Sequence, residues 1–183
     1  QGAVRIDGRD VRTMGLHELR KRFGTVFQND TIFEDTIMEN INMGRELSEE
    51  AVMEAVLYGR ASEFVEEKGG ISAQLDIKGA NLSGGQKQRI LIARALAAKP
   101  DILILDDSSS ALDYKTDAAL RKELREHFAE TTCVIIAQRI SSIMNSDHIM
   151  VLEDGQMIGY GTHQELMETC EIYREIGKSQ MGI

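Results

Sequence analysis

Short, uninterrupted runs of apolar residues constrain the fold of this 183-residue sequence more than any other feature. Residues 102–105 and 134–137 form two such runs, and each follows a stretch with helical patterning, at 86–97 and 116–128. Runs of this kind predict strands that are buried on both faces of a parallel sheet. Strands that alternate with helices in this way indicate the α/β fold class.

The N-terminal third shows a different mixture of patterns. Residues 3–6 alternate and lead into Asp7-Gly8, which predicts a strand and a tight turn. We expect a short helix over residues 16–22 and a strand over 24–27. Between residues 36 and 68 the apolar residues recur at helical spacing, which predicts helices throughout that stretch.

The C-terminal part predicts a hairpin followed by a helix. Residues 148–152 and 156–160 flank Asp154-Gly155, a pair typical of a two-residue hairpin turn. Thr162 and Glu165 have the spacing of a capping box, so we expect one last helix that reaches about residue 176. The length of the chain fits a single domain.

Composition excludes some classes of partner. The chain carries 21 basic and 30 acidic residues, a net charge of −9, so no nucleic acid is expected as a partner. No apolar stretch approaches the roughly 20 residues that a membrane-spanning helix needs. Cys133 and Cys170 fit neither a metal-binding spacing nor a disulfide framework, which indicates a reducing compartment.

A glycine-rich turn precedes the helical pattern in the middle of the chain. Ser83 and Gln86 stand at N-cap and N3 spacing around Gly84-Gly85, so the segment predicts a helix start. Backbone N–H groups that no side chain shields at the positive end of a helix form a phosphate site. The glycine pair alone is equally compatible with an ordinary capped helix.

The residues around this turn resemble the ABC-type ATPases. Residues 82–96, LSGGQKQRILIARAL, resemble the family's signature motif, and residues 102–107, ILILDD, its Walker B segment. Ser110-Ala111-Leu112-Asp113 resembles the D-loop, and Phe27-Gln28 the Q-loop. The resemblance runs through essentially the whole chain in the family's order.

The resemblance implies an ABC-type P-loop ATPase core with a mostly parallel sheet plus a helical subdomain. Residues 1–183 would form part of that ATP-binding domain. The helical subdomain would cover about residues 35–79, and residues 80–183 would hold the signature, Walker B, D-loop and H-loop regions and a C-terminal helix. Residues 25–44 are similar to exporter domains, in which this segment faces the transmembrane domain.

The family's roles transfer to matching positions. The implied cofactors are ATP and Mg²⁺, with Asp106 and Gln28 at the metal and Gln28 also near the attacking water. Nucleotide contacts would come from Gln28 and Asp113 and from the signature residues Ser83, Gly84, Gly85 and Gln86. The implied partners are a second ABC nucleotide-binding domain and, through the Q-loop region, a transmembrane domain. This chain, itself soluble, would work at the cytoplasmic face of the membrane.

Two catalytic positions depart from the family pattern. Asp107 stands where the family usually has a glutamate that acts as general base, and Gln138 where it has a histidine. The loss of one methylene withdraws the carboxylate by about 1 Å, and glutamine cannot carry the charge of imidazole. Beside an intact signature, the two changes indicate the degenerate half of a heterodimeric exporter.

The Walker A loop, G-x-x-x-x-G-K-[ST], has no credible match. Gly177-Lys178-Ser179 is the only such tripeptide, and Ile172 stands where the first glycine would be. We interpret Gly177 as the C-cap of the last helix, and we expect the domain to be truncated at its N-terminus, with the fragment alone inactive. The alternatives are an interaction module that does not itself bind ATP and a soluble ABC ATPase without a transport function.

Overall fold

The computed structural model describes residues 2–181, with the backbone alone for Met181. The chain forms two compact units, Gln1–Ile136 and Ala137–Ile183. Within the described residues no helix is both long enough and apolar enough to span a membrane.

The first unit opens with a hairpin and a short helix. Strands β1 (Arg5–Ile6) and β2 (Arg9–Asp10) pair antiparallel across Asp7 and Gly8. Both turn residues have positive φ, 50° and 79°, as a hairpin turn with matching twist requires. Helix α1 follows at Leu16–Lys21. The predicted strand, turn and helix are confirmed.

A three-stranded parallel sheet forms the centre of the first unit. Its order is β3 (Phe23–Val26), β4 (Ile102–Asp106) and β5 (Thr132–Ile136), so β4 is the middle strand. Leu103 and Leu105 in β4 are fully buried, whereas Ile102 and Ile104 on the opposite face are half-buried, so the predicted burial on both faces is only partly confirmed. The α/β class and the parallel sheet are therefore confirmed.

Strand β5 corrects one prediction. It begins at Thr132 rather than residue 134, and it is not buried on both faces, because Val134 is 45% and Ile136 49% exposed. Among the described residues β5 pairs with β4 alone, so it lies at an edge of this sheet. A continuous apolar run identifies a strand but does not determine what covers its faces.

The described part of the first unit holds five further α-helices. Their bounds are α2 (Ile37–Asn42), α3 (Glu49–Tyr58), α4 (Ser62–Glu67), α5 (Gly84–Leu96) and α6 (Tyr114–His127). Side chains of Thr36, Ser48, Ser83 and Asp113 cap α2, α3, α5 and α6. Helical structure in residues 36–68 is confirmed, although Leu57 is 51% exposed rather than in the core.

Helix α5 is the buried helix of this unit. Ile90, Ile92 and Ala93 are completely inaccessible to solvent, and α5 packs closely on β3 at Gly24. A Cβ on Gly24 would lie 2.7 Å from the Ala95 carbonyl oxygen, so only glycine permits this approach. This contact fixes the long helix against the sheet.

The second unit is a hairpin with three helices. It comprises α7 (Ile140–Ile143), β6 (Ile149–Glu153), β7 (Gln156–Gly161), α8 (His163–Thr169) and α9 (Glu171–Met181). Ile149 packs with Leu166, Cys170 and Tyr173 in a small separate core. The hairpin and the capping box of Thr162 and Glu165 are confirmed.

The end of the second unit differs from prediction. One helix was expected from Thr162, but Cys170 has extended backbone angles and separates α8 from α9. Gly177 is buried inside α9 and is not a C-cap, because the helix continues to Met181. A helix also precedes Gly177-Lys178-Ser179, whereas a phosphate-binding loop follows a strand.

Candidate functional site

The carboxyl end of the parallel sheet brings Gln28 and Asp107 together. Val26 in β3 is opposite Leu105 in β4, so the residues two places further on are also neighbours. The Gln28 amide nitrogen Nε2 lies 3.5 Å from Oδ2 of Asp107, a long hydrogen bond. Ligand sites of α/β proteins lie at this edge of a sheet. The structure thus joins two of the residues predicted from sequence.

Asp107 occupies a tightly held turn. Its φ of 47° is left-handed, a conformation in which aspartate is tolerated better than most residues. Its N–H donates to the Ile136 carbonyl at 3.0 Å. Its carbonyl accepts from the Ser110 hydroxyl at 3.0 Å and from Nε2 of Gln88 at 3.3 Å. The backbone of the predicted catalytic position is therefore fixed from three directions.

Asp106 is the last residue of β4 and is half-buried. Its backbone pairs with Ile136, so the carboxylate emerges from the middle strand of the sheet. No group of three or more His, Cys, Asp or Glu side chains converges as a metal cluster within the described part of the chain. The oxygen donors of Asp106, Asp107 and Gln28 suit Mg²⁺, which binds through one or two carboxylates together with substrate phosphates.

The predicted helix start at Ser83 is confirmed. The Ser83 hydroxyl accepts from the Gln86 N–H at 3.2 Å, and the Gln86 side-chain oxygen accepts from the Ser83 N–H at 2.9 Å. The first helical hydrogen bond runs from the Lys87 N–H to the Ser83 carbonyl. The N–H groups of Gly84 and Gly85 precede it, at the positive end of the thirteen-residue helix α5. N–H groups at such a helix start suit an anion.

The signature turn packs against the loop that precedes α6. A Cβ on Gly85 would lie 3.0 Å from the Ala111 carbonyl oxygen, whereas one on Gly84 would lie 3.5 Å from the Ala111 Cβ. A side chain at Gly85 would therefore crowd the backbone of Ala111. Gly84 is not restricted in this way.

Asp113 has a structural task in the described chain. Its carboxylate accepts from the Thr116 N–H at 2.8 Å and from the Thr116 hydroxyl at 2.9 Å, which caps α6. These two hydrogen bonds hold the pKa of Asp113 below its usual value. Both carboxylate oxygens are engaged within its own helix start.

Gln138 belongs to the second unit, where its side chain is exposed. Its backbone carbonyl accepts from Nε2 of Gln180 at 2.8 Å, while Oε1 of Gln180 accepts from the Ile140 N–H at 2.9 Å. One side chain of α9 therefore bridges both ends of the turn that follows β5.

Several residues of this arrangement were missed in the sequence. Gln88, Asn40, Arg94 and Gln180 hold loops and turns by side-chain hydrogen bonds to the backbone. A signal existed for Arg94, since it lies between Ala93 and Ala95 on a buried helix, where a charge requires partners. The partners themselves are distant in sequence.

Comparison with known proteins agrees with this geometry. The family model described as ABC transporter matches residues 1–110. An ATP-dependent lipid A-core flippase of Methylobacillus flagellatus is 40% identical over 98% of this chain and 31% of its own length. The "Uncharacterized ABC transporter ATP-binding protein YfiB" of Bacillus subtilis is 42% identical over 99% of this chain and 32% of its own length.

A solved structure gives the same result. The structure of a bacterial Atm1-family ABC exporter with ATP bound has a TM-score of 0.93 and 34% identity, over 99% of this chain and 32% of that one. The chain thus spans about a third of the length of the relatives that it matches. With the capped signature turn and the parallel sheet, these matches show that the chain belongs to the ABC transporter family, as a nucleotide-binding domain of the exporter type.

Proposed function

We propose that this chain binds ATP as part of an ABC exporter and donates its signature turn to a nucleotide held mainly by a second domain. The observation that carries the proposal is the turn at Ser83-Gly84-Gly85. Its capping box is complete and its N–H groups lie at the start of a long helix. In the family, ATP is sandwiched between the Walker motifs of one domain and the signature of the other. ATP-driven pairing of the two domains then powers transport.

The signature turn supplies charge stabilisation rather than covalent chemistry. Phosphoryl transfer is catalysed mainly by positioning and by stabilising charge on the phosphate oxygens. The N–H groups of Gly84 and Gly85 and the positive end of α5 provide such stabilisation. The Ser83 hydroxyl accepts one hydrogen bond in the cap, and its own proton remains available for an oxygen of the phosphate.

This chain's own site would use the sheet edge. Asp106 and Gln28 would hold Mg²⁺, which when bound offsets the charge of the phosphates. Asp107, beside Gln28, is the group that would orient the attacking water. Its side chain is one methylene shorter than glutamate, and its backbone carbonyl is tied to Gln88 and Ser110, so the turn is restrained from moving outward.

A slow site of this kind fits an asymmetric pair. Gln138 can donate a hydrogen bond to a phosphate but carries no charge and relays no proton. By the resemblance, Asp107 and Gln138 stand where the family has a general base and a charge-stabilising histidine, and neither residue replaces that group in full. We therefore propose that the partner is a different nucleotide-binding domain with a complete catalytic set, and that hydrolysis occurs mainly at that partner's site.

The membrane partner would contact the segment after β3. Two large aromatic side chains are exposed there, Phe27 at 52% and Phe33 at 49%. Exposed aromatic residues are enriched where proteins meet partners. We propose that this segment faces a transmembrane domain and that the chain works at the cytoplasmic face of the membrane. The net charge of −9 gives no support to a nucleic-acid partner.

The test compares two variants in the assembled transporter. Ser83→Arg places a bulky side chain at the proposed interface, and we expect it to abolish most steady-state ATP hydrolysis. Asp106→Asn damages only the slow site, so its loss should be far smaller. The matched control is Ser48→Arg, which removes the equivalent cap from α3, away from the signature.

Each alternative result has a distinct meaning. Equal loss from Ser83→Arg and Asp106→Asn would indicate two working sites and contradict the asymmetric pair. Loss with Asp106→Asn alone would place the main site on this chain. Equal loss from Ser83→Arg and Ser48→Arg would reduce the signature effect to a loss of helix stability. If the chain were instead an interaction module that binds no ATP, Asp106→Asn would not change the labelling of this chain by a photoreactive ATP analogue.

A further inference from the structure

The segment between β3 and α2 has no regular secondary structure; its end is held by the backbone, where the Leu75 N–H donates to the Asp35 carbonyl at 2.9 Å, and its earlier part by side chains. Residues 31–35 lie just beyond Gln28 and lead into the α2 cap at Thr36. Backbone N–H and C=O groups in the earlier part of this segment have no helix or sheet ladder to pair with. Two side chains from different helices supply hydrogen-bond partners there, and we call this pair, Asn40 and Arg94, the Asn40–Arg94 clamp.

Asn40 grips the segment from α2. It is 1% exposed, and its side chain makes both bonds that a neighbouring strand would make to Phe33. The Phe33 N–H donates to Oδ1 of Asn40 at 2.8 Å, and Nδ2 of Asn40 donates to the Phe33 carbonyl at 3.0 Å. Nδ2 also donates to the Thr36 carbonyl at 3.0 Å. The backbone around Phe33 is thereby fixed, while its ring stays exposed.

Arg94 reaches the same segment from α5. Its Nη1 donates to the Thr31 carbonyl at 3.1 Å, its Nε to the Asn40 carbonyl at 2.7 Å and its Nη2 to Oδ1 of Asn40 at 3.2 Å. The guanidinium carbon lies 5.6 Å from the centre of the Phe33 ring, within cation–π range. Three differently placed acceptors suit the planar fork of arginine and not the single ammonium of lysine.

The clamp and the signature turn share one rigid element. Ser83 caps the N-terminus of α5, and Arg94 lies about three turns further along the same helix. Gln88, between them, bonds the carbonyl of Asp107. A displacement of α5 at its signature end would therefore be transmitted to Thr31 and Phe33.

We infer that Arg94 is a positioning residue that makes residues 31–36 move with the signature helix when the signature engages ATP. The inference rests on the proposed function, because it requires the turn at Ser83 to contact nucleotide. It adds a specific physical connection between that event and the exposed Phe33. The three guanidinium nitrogens of Arg94 donate to Thr31 and Asn40, so its role is to hold this segment.

The test is hydrogen–deuterium exchange of the transporter that contains this chain, with and without Mg-ATP plus vanadate. In the wild type, peptides covering residues 83–89 and 31–36 should both gain protection. In Arg94→Lys, residues 83–89 should keep their response, while residues 31–36 should exchange on the order of tenfold faster and lose the nucleotide-dependent difference. A purely structural role of Arg94 would raise exchange equally in both nucleotide states and in both peptides.

Two further variants sharpen the result. Arg89→Lys is the matched control, because Arg89 lies on the same helix but donates to the carbonyls of Gly85 and Arg60; the response of residues 31–36 should persist. Asn40→Asp keeps the shape of the clamp but loses the Nδ2 donations, so it should reproduce the effect of Arg94→Lys if that variant folds poorly.

The outcomes separate the two proposals. An unchanged nucleotide response of residues 31–36 in both Arg94→Lys and Asn40→Asp would overturn the clamp and leave the proposed function standing. Loss of that response in Arg89→Lys as well would also overturn the assignment to Arg94. No response of residues 83–89 in the wild type would contradict the proposed function, and the clamp inference with it.

Discussion

The two glycines of the signature turn should respond oppositely to the same substitution. Alanine favours a helix over glycine by about 0.5–1 kcal/mol. At Gly84 a new Cβ meets Ala111 at an ordinary 3.5 Å, so Gly84→Ala should leave the free energy of unfolding unchanged or raise it by about that amount. At Gly85 the Cβ would lie 3.0 Å from the Ala111 carbonyl oxygen, which belongs to backbone and cannot rotate away.

The magnitude follows from these two contacts. Overpacking against backbone costs about 1–3 kcal/mol, which exceeds the helix-propensity gain at Gly85. The propensity gain is shared by both variants, so we expect Gly85→Ala to be less stable than Gly84→Ala by about 1–3 kcal/mol. For a chain of this size that difference corresponds to roughly 2–12 °C in Tm.

Thermal unfolding of the two variants in matched preparations measures the difference directly. Each variant adds one methyl group to neighbouring positions of the same helix start, so each serves as the control for the other. Equal Tm values would refute the close packing of Gly85 on Ala111. A more stable Gly85→Ala would show that helix propensity alone governs this turn.

Three further outcomes can be measured. Asp107→Glu combined with Gln138→His should raise single-turnover hydrolysis at this chain's own site, within the general-base range of about 10²–10⁴-fold. The ionised Asp113 carboxylate should stabilise the fold fully above about pH 4, and this stabilisation should be lost as the pH falls through the lowered pKa of Asp113 in the folded state. In acid denaturation, the stability of Asp113→Asn should lack this pH-dependent contribution. Asp117→Ala should lower the free energy of unfolding by about 3–5 kcal/mol in denaturant titration. The reason is that Arg121, which is 10% exposed and lies 3.2 Å from Asp117, would remain as an unpaired buried charge. Glu126→Ala, which breaks an exposed pair, should cost under about 1 kcal/mol.

Local sequence rules predicted the start of α5 accurately. Ser83 and Gln86 complete their capping box within four residues, so nothing distant is needed to form it. The same is true of the hairpin turn at Asp7 and Gly8. The parallel pairing of β4 with β5 also agrees with the sequence, because a helix between two apolar runs favours a parallel crossover.

Features that depend on distant residues could not be predicted in the same way. The burial of β5 depends on which elements cover its faces, and Val134 and Ile136 prove to be exposed. The Asn40–Arg94 clamp joins residues 54 positions apart, a pairing that no local pattern contains. The break between α8 and α9 falls at Cys170, a residue with no helix-breaking character of its own.

The two hydrogen bonds from the Gln180 side chain to the turn at Gln138 affect how mutations in α9 should be interpreted. Gln180 and Gln138 are 42 positions apart, and the hydrogen bond between them helps to fix the Gln138 backbone. A substitution at Gln180 would remove both hydrogen bonds and loosen a backbone position that belongs to the proposed chemistry. A change in turnover after such a substitution would therefore not by itself show that α9 contacts the nucleotide.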